Sequence, residues 1–150
     1  MKTLLVLLCG LAFVSATYAP HWYDCGNSTA TNVFTPTNVT AQKDPADETW
    51  TLISVCGTVN SHGRDTIFRM LKVDQIYGDM EQIFKDFFLK VVPSGSDFCL
   101  NYEEQYEDSD ILLLMTAYNI LGEEVACVNM TLNWADTNRG FLSKRQELIW

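Results

Sequence analysis

Short runs of apolar and β-branched residues, separated by polar turn sequences, predict that this chain is mainly β. The run from Trp50 to Val59 is typical of a strand packed on both faces. Asn60 to Gly63 has turn composition and Thr66 to Val73 predicts a second strand, so the two runs together predict a hairpin. Asn27 to Glu48 is rich in Thr, Asn, Asp and Pro and predicts loops with at most one short strand.

The stretch from Gln75 to Val92 fits two structures. Its apolar residues recur at intervals of three, four or one, which is the stripe of an amphipathic helix. A curved strand with bulges is the alternative. Pro93 and Gly95 end either element. We therefore expect one helix around 76–92, with the curved strand kept open.

The C-terminal part predicts a second hairpin. Ile111 to Tyr118 is an apolar strand, Gly122 and Glu123 supply a turn, and Glu124 to Trp134 is the antiparallel partner. The strand period of two divides that last strand into two faces. One face carries Ala126, Val128, Met130, Leu132 and Trp134, and the other carries Cys127, Asn129, Thr131 and Asn133.

The first residues form a secretory signal. Lys2 precedes an apolar run from Leu4 to Val14, and small residues follow, so we expect cleavage after Ala16. The run is too short to span a bilayer, which needs about 20 apolar residues. No later apolar run approaches that length, so the mature protein is expected not to span a membrane. The expected division is a signal at 1–16, one domain at 17–134 and a tail at 135–150.

Charge argues against one class of partner. Without Lys2, nine basic residues remain against nineteen acidic ones. Such a field repels phosphate backbones, so nucleic acid is not an expected partner. It also disfavours docking to an acidic membrane at neutral pH.

The cysteines and sequons are consistent with secretion. Cys9 leaves with the signal, and four cysteines remain, which predicts two disulfides with three possible connectivities. No pair has CxxC spacing, so a zinc site is not expected. Three sequons predict N-glycans that face solvent. Their acceptor residues are Asn27, Asn38 and Asn129.

The chain has few residues that could carry catalysis. Its two histidines, His21 and His62, leave few possible members for a nucleophile–base pair, and no GxSxG, HExxH or glycine-rich phosphate loop is present. We expect no enzyme, no cofactor and no metal site. One acidic run could supply paired carboxylates, although a solvated loop is the simpler interpretation. It comprises Glu103, Glu104, Glu107, Asp108 and Asp110.

Three segments resemble the ML (MD-2-related lipid-recognition) family. HWYDCG at His21–Gly26 is similar to the family's opening. DETWTLISVCGTVNSHGRDTIFRMLKV at Asp47–Val73 is similar to its early two-strand hairpin, and ILLLMTAYNILGEEVACVNMTLNW at Ile111–Trp134 to its closing hairpin. The similarity covers about half of the mature chain. The family's further short-range cysteine pairs have no counterpart here.

The resemblance implies an immunoglobulin-like β-sandwich whose sheets part to admit a lipid. It also implies a disulfide between Cys25 and Cys127, which leaves Cys56 to pair with Cys99. Each buried methylene contributes about 0.8 kcal/mol, so an acyl chain or a sterol can bind with few polar contacts. The candidate slot residues are apolar residues of the predicted core. They are Phe68, Met70, Phe84, Phe87, Phe88, Met115, Val128 and Met130.

The expected function is therefore that of a secreted or endolysosomal, non-enzymatic lipid-binding protein. A protein receptor is a possible second partner, and the sequence does not fix the oligomeric state. Two alternatives remain open: a small lipocalin-like barrel that carries a hydrophobic ligand, and a secreted interaction module with a packed core.

Overall fold

Nine β-strands make up the computed structural model, which describes residues 17–26, 33–47, 49–105 and 110–133. No helix occurs in these ranges. The predicted signal, the acceptor Asn27, Trp134 and the tail lie outside them. The strands are β1 (Thr17–Tyr18), β2 (His21–Asp24), β3 (Phe34–Lys43), β4 (Trp50–Val59), β5 (Thr66–Tyr77), β6 (Met80–Val92), β7 (Asp97–Gln105), β8 (Ile111–Asn119) and β9 (Glu124–Leu132).

The strands form two antiparallel sheets. One has the order β1-β3-β4-β7 and the other has the order β2-β9-β8-β5-β6. The predicted β-sandwich is therefore confirmed. In this arrangement β7 is an edge strand of the four-stranded sheet, and β6 is an edge strand of the five-stranded sheet.

The core lies between the two sheets and follows the strand period of two. In β4 the buried residues are Thr51, Ile53, Val55, Gly57 and Val59, whereas Leu52 is exposed. The strand is therefore buried on one face, not on both as its composition predicted. The largest fully buried side chains come from both sheets; they include Phe34, Ile53, Phe68, Leu71, Ile111, Leu113, Met130 and Leu132.

The prediction of a helix around 76–92 is wrong, and the alternative of β-strand structure is confirmed. β5 continues to Tyr77, Gly78 and Asp79 make a two-residue turn, and β6 returns antiparallel from Met80. Gly78 has a φ of 55°, which glycine adopts at no steric cost. A Gly-Asp pair between two apolar runs is itself a hairpin signal.

The helical spacing arises because β6 carries large apolar residues on both faces. Phe84 and Phe88 pack against the core, whereas Ile83 and Phe87 are exposed. A strand with this composition does not alternate apolar with polar, so its apolar residues recur at intervals of one, three and four. The pairing of β6 with β5 shifts register between Phe68 and Met70, and this irregularity corresponds to the bulge that the curved-strand alternative included.

The early hairpin is also corrected. Both of its strands exist as β4 and β5, but they belong to different sheets: β4 pairs with β3 and β7, and β5 pairs with β6 and β8. The connection through His62 and Gly63 therefore crosses from one sheet to the other. The apolar faces of β4 and β5 both point into the interior between the sheets. Placing the two strands in facing sheets buries both apolar faces, and this burial stabilises the arrangement more than pairing the two strands side by side would.

Two segments predicted as loops are partly β-strand. The polar stretch before Glu48 includes the ten-residue β3, whose Val39 and Ala41 are buried. The acidic run begins inside β7, where Glu103 is exposed and Glu104 is half-buried. Glu107 and Asp108 lie outside the described residues. Threonine is β-branched and suits a strand with one solvated face, so polar composition did not exclude β structure.

The closing hairpin is confirmed. β8 pairs with β9, and Gly122, with a φ of 79°, lies in the turn between them. In β9, Val128 and Met130 are buried while Thr131 is exposed, as the predicted faces require. Cys127, predicted on the polar face, is buried, and it forms the disulfide with Cys25.

Both disulfides join neighbouring strands. Cys25, which directly follows β2, is bonded to Cys127 in β9, and Cys56 in β4 is bonded to Cys99 in β7. These are the two pairs that the family resemblance implied.

Candidate functional site

The two edge strands β6 and β7 frame a cleft of about 270 Å³ between the sheets, which we call the edge cleft. Its apolar lining comes from both sheets, and its polar lining lies at the rim. The apolar residues are Leu71, Phe88, Leu89, Phe98 and Leu100, together with Cys99; the polar residues are Asp86, Lys90 and Asn101.

Strand alternation supplies the apolar lining from β7. Phe98 and Tyr102 are half-buried and Leu100 is buried, whereas the intervening Cys99 and Asn101 are exposed. On the opposite strand, Phe88 of β6 packs against the core. The two edges thus present aromatic side chains to the same gap.

Aromatic contacts link the edge cleft to the centre of the protein. The rings of Phe68 and Phe98 have centroids 4.8 Å apart, and Phe68 meets Phe34 edge-on at 6.2 Å. Phe84 of β6 and Tyr102 of β7 have ring centroids 6.1 Å apart, so they join the two sheets beside the cleft. Such pairs each contribute about 0.5–1.5 kcal/mol beyond their buried area.

A buried polar network lies next to the Phe84–Tyr102 contact. Gln75 is fully buried, and its Nε2 donates a hydrogen bond to Tyr102 Oη at 3.1 Å. Tyr102 Oη in turn donates to Glu104 Oε2 at 3.0 Å. The network satisfies a buried amide that would otherwise cost about 1–3 kcal/mol. Thr51 Oγ1, also buried, has no hydrogen-bond partner among the described residues.

The rim of the edge cleft carries charge of both signs. Asp86 and Lys90 line it from β6. Lys90 also lines a second, more open cleft of about 510 Å³, which contains Thr37, Gly57 and Asp97. An apolar floor with a polar rim suits a molecule that has one apolar part and one solvated part.

The eight predicted slot residues fall into three groups. Phe88 lines the edge cleft, and Phe84 lies beside it. Four are buried in the interior: Phe68, Met115, Val128 and Met130. The remaining two, Met70 and Phe87, lie opposite each other on β5 and β6, and Phe87 is 67% exposed.

Sequence reasoning missed four apolar residues of the edge cleft: Leu71, Leu89, Phe98 and Leu100. The apolar positions Phe98, Leu100 and Tyr102 alternate with polar ones, and this period of two was the available signal. The acidic residues that follow obscured it. Leu71 lies in a run recognised as a strand, but its face could not be assigned because a register shift precedes it.

The other candidate chemistry is dispersed. His21 lies in β2 and His62 in the β4–β5 connection, and both are exposed. Within the described ranges, no three His, Cys, Asp or Glu residues are grouped so that they could hold a metal ion. In the same ranges no helix is both long and apolar enough to cross a membrane.

Comparison with known proteins identifies the fold. No protein-family profile matches the chain, and no curated protein matches its sequence. The structure is similar to that of chicken MD-1, solved in complex with lipid IVa, with a TM-score of 0.51 and 12% identity over 80% of this chain and 99% of MD-1. A Niemann-Pick type C2 protein from the Japanese carpenter ant matches with a TM-score of 0.45 and 16% identity, over 74% of this chain and 96% of that protein. At this level of identity the likeness to MD-1 establishes the fold alone: the chain has the same immunoglobulin-like β-sandwich as MD-1.

Proposed function

We propose that this protein is a secreted or endolysosomal lipid-binding protein without catalytic activity, and that it holds an acyl chain or a sterol between its two sheets. The observation that carries the proposal is the edge cleft: β6 and β7 border an apolar gap that leads to the aromatic interior. The shared fold with MD-1, which was solved with lipid IVa bound, supports it.

The size of the edge cleft limits what fits without rearrangement. Its volume of about 270 Å³ is just below the range of ligand pockets, which span about 300–1,000 Å³. We infer that the ligand enters apolar end first and that Phe88 and Phe98 move aside to admit it. Both side chains are half-buried and belong to edge strands of their sheets.

Binding of this kind needs burial and no reacting group. At about 0.8 kcal/mol per methylene, a dozen buried carbons supply roughly 10 kcal/mol before the cost of ordering the ligand. The deepest part of the bound lipid would contact four buried residues of the interior: Phe68, Met115, Val128 and Met130. Methionine and phenylalanine adapt to irregular apolar shapes, which suits a variable ligand.

The disulfides support the proposed location. Two disulfides in one small domain are typical of an oxidising compartment, such as the extracellular space or the lumen of the secretory pathway. The signal at 1–16 and the N-glycans at Asn27, Asn38 and Asn129 belong to the same proposal. The two sheets do not close into one barrel, so the lipocalin-like alternative is set aside. A packed core that binds nothing is the alternative that the experiment must exclude.

A pair of neighbouring substitutions tests the proposal. Phe88→Asp places a carboxylate in the edge cleft, whereas Phe87→Asp places the same group at an exposed site of the same strand. With a fluorescent fatty acid or sterol as probe, we expect saturable uptake of about one molecule per chain. Phe88→Asp should weaken it at least tenfold, about 1.4 kcal/mol, and Phe87→Asp should leave it unchanged. Absence of uptake by the parent protein, or an equal loss in both variants, would refute the proposal.

A further inference from the structure

The outer face of β6 is an exposed apolar strip. β6 is the longest strand at thirteen residues, and no described strand pairs with its free edge. Ile83, Phe87, Leu89 and Val91 of this strand are each more than half exposed. An edge strand of this length and composition is a template for pairing with another strand.

We propose that β6 pairs with β6 of a second copy of this chain, antiparallel and two-fold symmetric, with Phe88 opposite Phe88. A two-fold axis perpendicular to the sheet brings each face of β6 against the same face of its copy. Because side chains alternate between the faces, only registers that pair even with even and odd with odd positions are allowed.

Charge favours two of those registers, one centred on Ile83, which pairs Glu81 with Lys85, and one centred on Phe88. The half of β6 that follows Phe84 contains three charged residues: Lys85, Asp86 and Lys90. A register centred on any one of them places it opposite its own copy, which is repulsive. Registers centred on Phe87 or Leu89 pair no charges. In the register centred on Phe88, Asp86 faces Lys90 of the second copy, and the symmetry makes this pair twice.

Apolar side chains agree with the same register. Phe87 then faces Leu89 of the second copy, and the stem of Lys85 lies along Val91. These contacts cover three of the five large apolar side chains of β6 that are more than half exposed. Among the described residues, Lys85, Asp86 and Lys90 have no ion pair within the chain that pairing would have to break.

Two features of β6 oppose self-association: its charges and its register shift against β5, both of which are devices that protect edge strands. In the proposed register Asp86 and Lys90, two of the four charged residues of β6, form attractive pairs. The sequons Asn38 and Asn129 lie on β3 and β9, neither of which borders β6, so N-glycans at these two positions would leave the edge free.

Charge exchange tests the register in the full-length secreted chain. Sedimentation equilibrium should show a reversible dimer. Asp86→Lys and Lys90→Asp should each weaken dimerisation at least tenfold, because each places like charges opposite one another. The double variant D86K/K90D should restore the dissociation constant to within about threefold of the parent. A parent protein that stays monomeric, or a double variant no tighter than the single variants, would overturn the proposal.

Cross-linking gives a second readout that does not depend on charge. Residues directly opposite in an antiparallel pair have Cα atoms about 4.5–5.5 Å apart, within disulfide range. Phe88→Cys should therefore form a covalent dimer under mild oxidation. Ile83→Cys is the matched control, because the two copies of residue 83 would lie about 34 Å apart. A cross-link at position 83, or none at position 88, would overturn the register. A protein that stays monomeric and binds lipid vesicles through the outer face of β6 would overturn the dimer itself. None of these outcomes depends on whether the edge cleft binds lipid.

Discussion

Cys56 and Cys99 lie directly opposite each other on β4 and β7, with Cα atoms 4.0 Å apart, and their disulfide joins an edge strand to the central part of its sheet. Cys99 also lines the edge cleft, between Phe98 and Leu100. The bond therefore holds in place the strand that forms one wall of the proposed ligand site. The Cys25–Cys127 bond joins the end of β2 to β9, at the edge of the five-stranded sheet that lies farthest from β6.

Removing either disulfide should lower stability, but only one removal should change binding. The two bonds span 43 and 102 residues, which in the chain-entropy model correspond to about 4 and about 5 kcal/mol. Urea unfolding of C56A/C99A and of C25A/C127A should show losses of this order. Lipid uptake should be measured without urea, at a temperature at which both variants are folded. Under these conditions uptake should weaken in C56A/C99A but not in C25A/C127A. Equal uptake by the two variants would show that β7 does not shape the site.

The last strand offers a contrast between its two faces. Met130 is buried and Thr131 is exposed. Met130→Asp should cost several kcal/mol, because it buries a charge among apolar neighbours. Thr131→Ala should leave the free energy of unfolding nearly unchanged and remove the sugar at Asn129, seen as a mobility difference from the parent protein that disappears once both proteins are enzymatically deglycosylated. Equal secretion and stability of both variants would contradict the face assignment.

A half-buried ion pair provides a third prediction. Lys72 Nζ lies 2.8 Å from Asp74 Oδ2, and Asp74 is 4% exposed, with its other oxygen unpartnered among the described residues. Lys72→Met should cost about 1–3 kcal/mol, since it leaves a buried carboxylate without its cation. K72M/D74L removes both charges and should recover most of that loss. A double variant as unstable as K72M would contradict this explanation.

The same pair predicts a dependence on alkaline pH. The hydrogen bond to Asp74 raises the pKa of Lys72 above its ordinary value of 10.5. A raised pKa in the folded state contributes stability that is complete below the ordinary value and is lost as the pH rises through the raised value. Urea unfolding at alkaline pH should therefore show a decline that K72M lacks. An identical decline in both proteins would assign it to other groups.

Close packing at Gly57 gives a fifth prediction. A Cβ at this position would overlap the carbonyl oxygen of Thr35 and lie 2.8 Å from the ring of Phe34. Gly57→Ala should cost about 1–3 kcal/mol, because β3 would have to move. Ser54→Ala, on the same strand but half-buried, is the control and should cost less than 1 kcal/mol. If Gly57→Ala left the free energy of unfolding unchanged, β3 would be able to move away from position 57 at little energetic cost.

What could be predicted depended on how regularly each strand alternates. β9 alternates only in its second half, where Met130 and Leu132 are buried and Thr131 is exposed, so these faces could be assigned from sequence. In its first half the residues from Val125 to Val128 are all buried. The faces of β6 could not be assigned, because an edge strand with apolar residues on both faces has the spacing of a helix. The pairing of β4 and β5 was predicted wrongly because adjacent strands usually pair, whereas here the chain crosses between sheets.

The candidate site was only partly predictable for a related reason. Phe84 and Phe88 were recognised as apolar, but a position on an edge strand is a property of the whole topology. Local pattern therefore could not separate Phe88, which lines the edge cleft, from Phe87, which faces outwards. The disulfide partners came from family resemblance, because four cysteines alone allow three connectivities.

The central claim is that the interior accepts a lipid, and native mass spectrometry of the secreted protein tests it most directly. Protein purified gently from eukaryotic cells, then enzymatically deglycosylated, should retain about one lipid per chain. The added mass should disappear on collisional activation and return when a fatty acid or a sterol is supplied. A protein that shows only the bare chain mass, and gains none with either lipid in excess, would contradict the account and indicate a packed core.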